Sequence, residues 1–210
     1  GRATGRFAMT ATAATATAAA RIRPACPADV EALTALIEGA YRGDTARRGW
    51  THEADLLSGP RLEPGELAAM LADPARAILA ADAHCTLVGC VALARRPPGQ
   101  PAYLGLLTVR PDLQSAGLGT RLMDAAEALA ASAWAAPAIE LWILEGRPEL
   151  LAWYLRRGYA DTGRRQPFPG RADYRFRVLE RPLPAPPLPP GAPGDAPPAD
   201  AGAVPRPLSR

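Results

Sequence analysis

Residues 106–122 have the residue types and spacing of an anion-binding turn. An apolar run ends at Pro111, a loop carries Gln114, Gly117 and Gly119, and an amphipathic pattern follows at once. The first N–H groups of a helix have no partner within the helix, and the helix dipole adds partial positive charge there. Glycine lets a phosphate approach the backbone closely. The stretch can therefore bind a pyrophosphate without any lysine.

Two other phosphate-binding motifs do not fit this stretch. The Rossmann fingerprint needs a third glycine and an acidic residue about 20 residues further on. The Walker A motif needs Gly-Lys-Ser/Thr, and the sequence contains no lysine. For the two glycines taken alone, a turn without function is the remaining alternative.

The pattern as a whole resembles the GNAT superfamily of acyl-CoA N-acyltransferases, in which a strand ends in Val-x-Pro and Gln/Arg-x-x-Gly-x-Gly/Ala then opens a helix. Val109-Arg110-Pro111 and the run 114–119 match at the right spacing. The resemblance implies the GNAT-like fold, of class α/β (α+β), with a mixed, mostly antiparallel sheet flanked by helices. It also implies that acetyl-CoA is the co-substrate. Its pantetheine arm would pair with Leu107, Thr108 and Val109, and its pyrophosphate would bind Gln114, Ser115, Ala116, Gly117, Leu118, Gly119 and Thr120.

A second segment resembles the family's Asn-x-x-Ala-x-x-Phe-Tyr-x-x-x-Gly-Phe motif. Trp153 and Tyr154 take the Phe-Tyr positions, and Gly158 takes the Gly position. Arg147 stands in place of the Asn, where it can pair with a cofactor phosphate. Arg147 and Tyr154 are almost two helical turns apart and so share a face. The resemblance implies that Tyr154 protonates the leaving thiolate; the alternative is a tyrosine that only packs in the core.

The general base is harder to assign. Many relatives use a glutamate on the strand before the phosphate turn, where this chain has Gly105. Glu140, which alternates outward on the next predicted strand, is the best substitute as a catalytic residue. Glu53, Asp55 or a chain of water molecules are alternatives, and Glu140 could instead be a structural carboxylate.

The resemblance also locates the acceptor pocket, because the first two helices and their loop wall that pocket in the family. It implies that Tyr41, Trp50 and Glu53 bind the substrate. Carboxylates in this loop can attract a cationic amine, whereas Trp50 could also serve only to pack under the loop.

The elements that position these residues follow the order β-α-α-β-β-β-α-β-α-β. Strands interleaved with helices indicate a mixed sheet. Apolar residues at helical spacing predict helices, and period-two alternation or short apolar runs predict strands. The predicted helices are 27–40, 66–71, 117–131 and 148–158, and the predicted strands are 21–25, 77–83, 87–94, 101–109, 138–144 and 175–180.

The 210 residues favour one domain with tails. Residues 1–20 are mostly Ala and Thr without an acid, and residues 182–210 hold 11 of the 24 prolines. Neither segment can bury enough apolar surface to fold. We therefore predict a disordered leader at 1–20, an N-acetyltransferase domain at 21–181 and a disordered tail at 182–210. A targeting peptide is the alternative for the leader.

Composition excludes several classes of protein. Three cysteines without a Cys-x-x-Cys pair and two histidines argue against a disulfide framework or a metal site, so no metal is expected. No apolar run reaches the length of about 18 residues that a membrane helix needs. A net charge of +3 gives weak support for nucleic-acid binding. We expect a cytoplasmic protein without nucleic-acid or membrane partners, and a homodimer is left open.

These observations predict an acetyl-CoA-dependent N-acetyltransferase. We expect a primary amine of a small molecule or peptide to attack the thioester directly in a ternary complex, with backbone N–H groups of 107–109 polarising the carbonyl. A catalytically weak acyl-CoA-binding regulatory module is one alternative, favoured by the missing strand carboxylate. An interaction protein that acts through its proline-rich tail is another.

Overall fold

A seven-stranded sheet organises the part of the chain that the computed structural model describes, which is residues 15, 17–41, 62 and 65–184. Its strands are β1 (Arg21–Pro24), β2 (Arg76–Ala83), β3 (Thr86–Ala94), β4 (Ala102–Val109), β5 (Ala138–Leu144), β6 (Ala160–Phe168) and β7 (Arg171–Pro182). They lie in the order β1-β2-β3-β4-β5-β7-β6. Among them β4 and β5 pair in parallel, and each other neighbouring pair is antiparallel. The predicted mixed, mostly antiparallel sheet is confirmed.

Four helices flank this sheet within the described residues. They are α1 (Val30–Tyr41), α2 (Glu66–Ala72), α3 (Leu118–Trp134) and α4 (Pro148–Arg156). The structure divides the predicted helix 27–40 into a 3₁₀ turn at Pro27–Asp29 and α1. Pro148 occupies the first turn of α4, where its missing N–H costs little. Gly158 follows the end of α4 with a left-handed φ of 87°, as a residue after a helix end often does.

The helices bury one apolar core on each face of the sheet. Leu118, Leu122 and Met123 of α3 are fully buried on one face. Leu33 and Ile37 of α1 are fully buried on the other. Burying such a side chain contributes roughly 2 kcal/mol of transfer free energy. Because α3 is packed along its apolar stripe, the backbone groups at its N-terminus are held in place.

Strand β6 is the element that the sequence did not predict. It lies at the edge of the sheet and pairs only with β7 among the described strands. It contains Gly163 and Pro167, and most of its side chains are partly or fully exposed. An edge strand with solvent on one side carries no continuous apolar run, and proline is tolerated there. The predicted strand 175–180 is longer in the structure, where β7 spans Arg171–Pro182, because β6 pairs with its start and β5 pairs with its end.

The packed chain begins before β1. Thr17 and Ala20 are buried, and their carbonyl groups accept hydrogen bonds from the guanidinium of Arg121, at 2.7 Å for Ala20. Arg121 lies in the first turns of α3, so this segment is attached to the helix that follows the phosphate turn. Residues 1–14 and 185–210, which make up most of the two predicted tails, lie outside the described residues.

Candidate active site

A cleft opens where β4 and β5 separate. The two strands pair from Ala102 and Ile139 to Leu104 and Leu141. Beyond that point Leu106 adopts a left-handed φ of 50°, and the register between β3 and β4 shifts. Such a backbone costs a non-glycine residue roughly 1–2 kcal/mol. The bulge turns β4 away from β5, and beyond Leu104 this edge of β4 has no neighbour among the described strands.

Backbone groups of β4 face this cleft. Arg110 donates its N–H to the carbonyl of Val88 at 2.9 Å, so alternate residues of β4 direct their polar groups toward β3. Leu107 and Val109 fall between them and direct their N–H and C=O groups into the cleft. The Tyr41 hydroxyl donates to the Leu107 carbonyl at 2.8 Å, which agrees with this direction. Two N–H groups thus remain aimed at a ligand in the cleft.

The predicted phosphate turn leads from β4 into α3. Ser115 has a left-handed φ of 65° and Gly117, the N-cap of α3, has a φ of 91°. Left-handed residues in such a turn help successive N–H groups to converge on an anion. A Cβ on Gly117 would meet no atom within 4 Å, so this residue opens onto free space. Its left-handed φ still strains any other L-residue at this position. The turn is therefore an N–H-lined concavity at the start of a 17-residue helix.

The cleft and the turn belong to one cavity of about 490 Å³. Its charged side chains among the described residues are Arg147 and Arg156. Of the residues predicted to bind the cofactor, Ala116 and Leu118 are not in the described lining, and Leu118 is buried in the core. The predicted residues that do line the cavity are Leu107, Thr108, Val109, Gln114, Ser115, Gly117, Gly119, Thr120 and Arg147.

Tyr154 lies in the wall of this cavity and is buried. Its ring packs against Trp153 and Tyr159, with centroids 4.8 Å and 5.5 Å away. Burial raises the pKa of Tyr154 well above its ordinary value, and the neighbouring Tyr41 hydroxyl raises it further. The phenol is therefore protonated at neutral pH and can donate a proton to a group formed in the cavity.

Arg147 occupies the N-cap position of α4 without a capping hydrogen bond from its side chain, and it is buried in the cavity wall. Its Nε donates to Glu149 at 2.9 Å, which fixes one side of the guanidinium. Arg147 and Tyr154 both line the cavity, as the helical spacing predicted. Arg156, which the sequence analysis missed, lines it as well. It is three residues after Trp153, and that spacing on one helix face was the available signal.

The far end of the cavity is aromatic. The ring of Trp142 lies 5.2 Å from that of Tyr103 and 6.1 Å from that of Phe176, and all three line the cavity. A second cavity of about 220 Å³ shares Tyr103, Gly105 and Leu106 of its lining with the first. The sequence predicted none of these three rings as site residues, because they come from three strands and meet only through sheet pairing.

Glu140 is held on the sheet beside this aromatic end. Its side chain is 4% exposed and accepts hydrogen bonds from Arg96 at 2.8 Å and from the Trp142 indole at 2.9 Å. Arg164 pairs with its other oxygen at 2.9 Å. Burial alone would raise the pKa of Glu140, but the Arg96 and Trp142 hydrogen bonds outweigh burial and lower it. This carboxylate anchors Trp142, and its role as general base stays a prediction.

Of the three predicted acceptor residues, only Tyr41 lies in the part of the chain that the structure describes. Tyr41 lines the cavity and hydrogen-bonds Leu107. Trp50 and Glu53, together with Asp55, lie outside the described residues.

Among the residues that are described, no group of three or more His, Cys, Asp or Glu side chains could hold a metal ion. None of the described helices is long and apolar enough to cross a membrane.

The fold and the site define an acyltransferase of the GNAT class. The model of the acetyltransferase (GNAT) family matches residues 42–159, more than half of the chain. The chain therefore belongs to this family, and its family and enzyme class confirm the sequence prediction. No curated protein sequence matches it.

Solved structures share the fold at low sequence identity. Nourseothricin acetyltransferase is 21% identical with a TM-score of 0.58, over 79% of this chain and 99% of that chain. Ribosomal-protein-S18-alanine N-acetyltransferase from Escherichia coli is 14% identical with a TM-score of 0.60, over 78% and 94%. A paia N-acetyltransferase from Thermoplasma acidophilum, in complex with coenzyme A, is 18% identical with a TM-score of 0.60, over 78% and 99%. At these identities the likeness supports the fold and leaves the acceptor open.

Proposed function

We propose that the protein transfers the acetyl group of acetyl-CoA to a primary amine of a small molecule or peptide, by direct attack within a ternary complex. The observation that carries this proposal is a single cavity that joins an unpaired strand edge, an N–H-lined turn and a protonated tyrosine. These features fit acetyl-CoA. Leu107 and Val109 present backbone groups to an amide-bearing arm, and the turn before α3 presents N–H groups to a pyrophosphate. Arg147 and Arg156 supply positive charge.

Acetyl-CoA supplies an activated thioester carbonyl when it is bound. One backbone N–H of this edge, from Leu107 or Val109, can donate to the carbonyl oxygen as negative charge develops on it. Tyr41 holds the Leu107 carbonyl at 2.8 Å and thereby fixes the orientation of this peptide segment. The strand edge is preorganised, so little reorganisation is needed during the reaction.

Tyr154 is the proton donor in this proposal. The thiolate that leaves needs a proton, and the Tyr154 hydroxyl lies in the cavity wall with its pKa raised by burial. The hydroxyl is protonated at neutral pH even without this shift, and the raised pKa makes it a weaker acid, so its proton moves only as negative charge builds on the leaving sulfur. Arg147, on the same face of α4, holds a phosphate and so sets the depth at which the thioester lies.

The acceptor amine enters beside the residues that line both cavities, Tyr103, Gly105 and Leu106. The wall here consists of Tyr103, Trp142 and Phe176. Such a wall suits an amine with an apolar or flat group, and it provides cation–π contacts for a charged amine before the amine loses its proton. The described lining of the first cavity contains no carboxylate. Glu140, the predicted base, would therefore take the amine proton through water, and Glu53, Asp55 or water alone are the alternatives.

A reducing compartment suits the cysteines of this chain. Cys26, Cys85 and Cys90 are free, and the first two are exposed. Exposed thiols persist more readily in a reducing environment. We therefore place the protein in the cytoplasm.

The experiment that tests this function is a panel of primary amines, small molecules and peptides, incubated with acetyl-CoA and read by release of free thiol. We expect amine-dependent thiol release with at least one amine and a matching N-acetylated product by mass spectrometry. Tight CoA binding with no turnover on any amine would instead identify a regulatory module. Failure to bind CoA would reject the assignment of the cavity.

A further inference from the structure

A buried carboxylate lies behind the cavity, in the middle of α3. Glu127 is 8% exposed and accepts hydrogen bonds from three different side chains. The Tyr159 hydroxyl donates to it at 2.9 Å, Arg181 donates at 2.6 Å and Arg157 at 3.3 Å. Glu127 therefore joins α3 to β7 and to the segment between α4 and β6.

Two of these donors, Tyr159 and Arg157, are linked to the Tyr154 ring by aromatic contacts. The Tyr159 ring packs on the Tyr154 ring with centroids 5.5 Å apart. The Arg157 guanidinium lies 5.6 Å from the centroid of the Trp153 ring, and that ring lies 4.8 Å from the Tyr154 ring. The Tyr154 ring is thus held between two aromatic rings, and each of them is connected to Glu127.

Tyr154 needs such support because it lies in the last turn of α4, which ends at Arg156. The terminal turns of helices fray more readily than their interiors. The chain then reverses through Gly158, and the Tyr159 N–H donates to the Tyr154 carbonyl at 3.1 Å. These contacts fix the backbone at the helix end, and the two flanking rings fix the side chain.

The chemistry of the cluster also favours a positioning role. Taking a carboxylate and guanidinium groups out of water is costly, and such an ion pair often adds little to stability compared with apolar packing. What Glu127 gains from three directed hydrogen bonds is a defined geometry. Tyr159 adds a hydroxyl that an ordinary core phenylalanine would lack, and this hydroxyl donates to Glu127.

We propose that Glu127 is a positioning residue that acts through Tyr159 and Arg157 to set the location of the Tyr154 hydroxyl for proton transfer. The inference rests on the proposed role of Tyr154 as proton donor. A displacement of about 1 Å at a reacting group can cost up to two orders of magnitude in rate. The geometry of the network should therefore affect turnover more than cofactor binding.

The test is a double-mutant cycle on the full chain, with the best amine of the panel. Tyr159→Phe keeps the ring and removes only the hydroxyl that bonds Glu127. We expect it to lower kcat about five-fold and to change the KM for acetyl-CoA less than about two-fold. In the Tyr154→Phe background the same change should have no further effect, because a residue that acts through Tyr154 cannot act without it.

Glu127→Gln is the conservative second variant, because it keeps an acceptor for Tyr159 but loses the charge. We expect a kcat above that of Glu127→Ala, and a smaller loss in both variants with an acetyl donor whose thiol is more acidic. Thr162→Val is the matched control. It removes the 2.9 Å hydrogen bond from Thr162 to the Val178 carbonyl and should lower the melting temperature without changing kcat.

Two results would overturn the proposal. The first is a Tyr159→Phe loss of the same size in both backgrounds, which would show a role independent of Tyr154. The second is a fall in melting temperature at unchanged kcat, as in the Thr162→Val control, which would show a structural role only. If Tyr154→Phe alone has wild-type kcat, Tyr154 is not the proton donor. This single variant therefore distinguishes a failure of the proposed Tyr154 role from a failure of the Glu127 proposal.

Discussion

The two ends of the cavity are built in different ways. The cofactor end uses backbone groups: the free edge of β4, the left-handed residues Ser115 and Gly117, and the N-terminus of α3. The acceptor end uses side chains, with the rings of Tyr103, Trp142 and Phe176 brought together from three strands. A backbone site tolerates many sequences as long as the turn keeps its shape. A side-chain site changes its ligand with each substitution.

This difference explains why the cofactor could be predicted and the acceptor could not. Relatives that share under a quarter of their residues with this chain keep the same fold. In our proposal the acceptor end selects the amine, and Glu140, which is outside the described lining, holds Trp142 in the wall. The following variants distinguish the two ends of the cavity by whether they change CoA affinity, kcat or the KM for the amine.

The largest effect is expected from Gly117→Glu. The substitution places a side chain and a negative charge where a pyrophosphate would lie, and it strains a φ of 91°. Losing two charge-assisted hydrogen bonds at about 2 kcal/mol each weakens binding on the order of 1000-fold. Calorimetric titration with CoA measures the loss, and circular dichroism checks that the fold survives. Unchanged CoA affinity in a folded variant would move the cofactor to another site.

Tyr154→Phe should give the next largest effect. It removes the proton donor and leaves the ring between Trp153 and Tyr159, so CoA affinity should hold while kcat falls roughly ten-fold or more. The loss should shrink with an acetyl donor whose thiol leaves as a stable anion. Because burial raises the pKa of Tyr154, the wild-type kcat should not fall from deprotonation of this group near pH 10. A lower melting temperature with unchanged kcat would mark it as a core residue.

Glu140→Gln should have a moderate effect on the acceptor end. If Glu140 anchors Trp142, the KM for the amine should rise about three-fold, and the shape of the kcat–pH profile should stay the same. A general base would instead give a kcat loss of about 100-fold or more and would remove the acidic limb. Steady-state kinetics at neutral pH distinguish the two by the size of the kcat loss, and the pH profile is followed down to about pH 4 because the lowered pKa of Glu140 places any acidic limb below 4.5.

The same residue makes a prediction for stability against pH. The pKa of Glu140 is lowered in the folded protein, so its ionised form contributes stability that is complete above the unfolded value near 4.5. That contribution should be lost as the pH falls through the lower folded value. Glu140→Gln should therefore be less stable than wild type at neutral pH, and the difference should narrow below about pH 4. A constant difference across acid pH would contradict the ionised anchor.

The smallest effect is expected from trimming the ends. A chain of residues 15–184 should melt within about 2 °C of the full chain and bind CoA equally well, since the sequence outside it has no periodic apolar face. Starting at residue 21 instead removes the Thr17 and Ala20 carbonyls that bind Arg121, and should lower the melting temperature by about 3 °C. Equal melting of the two truncated chains would show that this attachment contributes nothing.

The sequence predicted those parts of the molecule that depend on local geometry. Gly117 and the apolar stripe that begins at Leu118 mark a turn and a helix in any context, so the position of the candidate phosphate turn could be predicted. Edge strand β6 could not, because none of its residues is buried on either face, so it lacks the alternation that identifies a half-buried strand. The sequence predicted that the Glu140 side chain points to the face of the sheet opposite Ile139, and it does. On that face Glu140 is covered by Arg96 and Arg164, two long side chains that no local sequence pattern brings together.

The central claim is that the backbone turn before α3 binds the pyrophosphate of CoA. Calorimetry with CoA and with pantetheine, which lacks the pyrophosphate and the nucleotide, tests it most directly in wild type and in Gly117→Glu. We predict that wild type binds CoA at least about 100-fold more tightly than pantetheine and that this preference disappears in Gly117→Glu. Equal affinities of wild type for CoA and pantetheine, or a preference that survives in Gly117→Glu, would contradict the account.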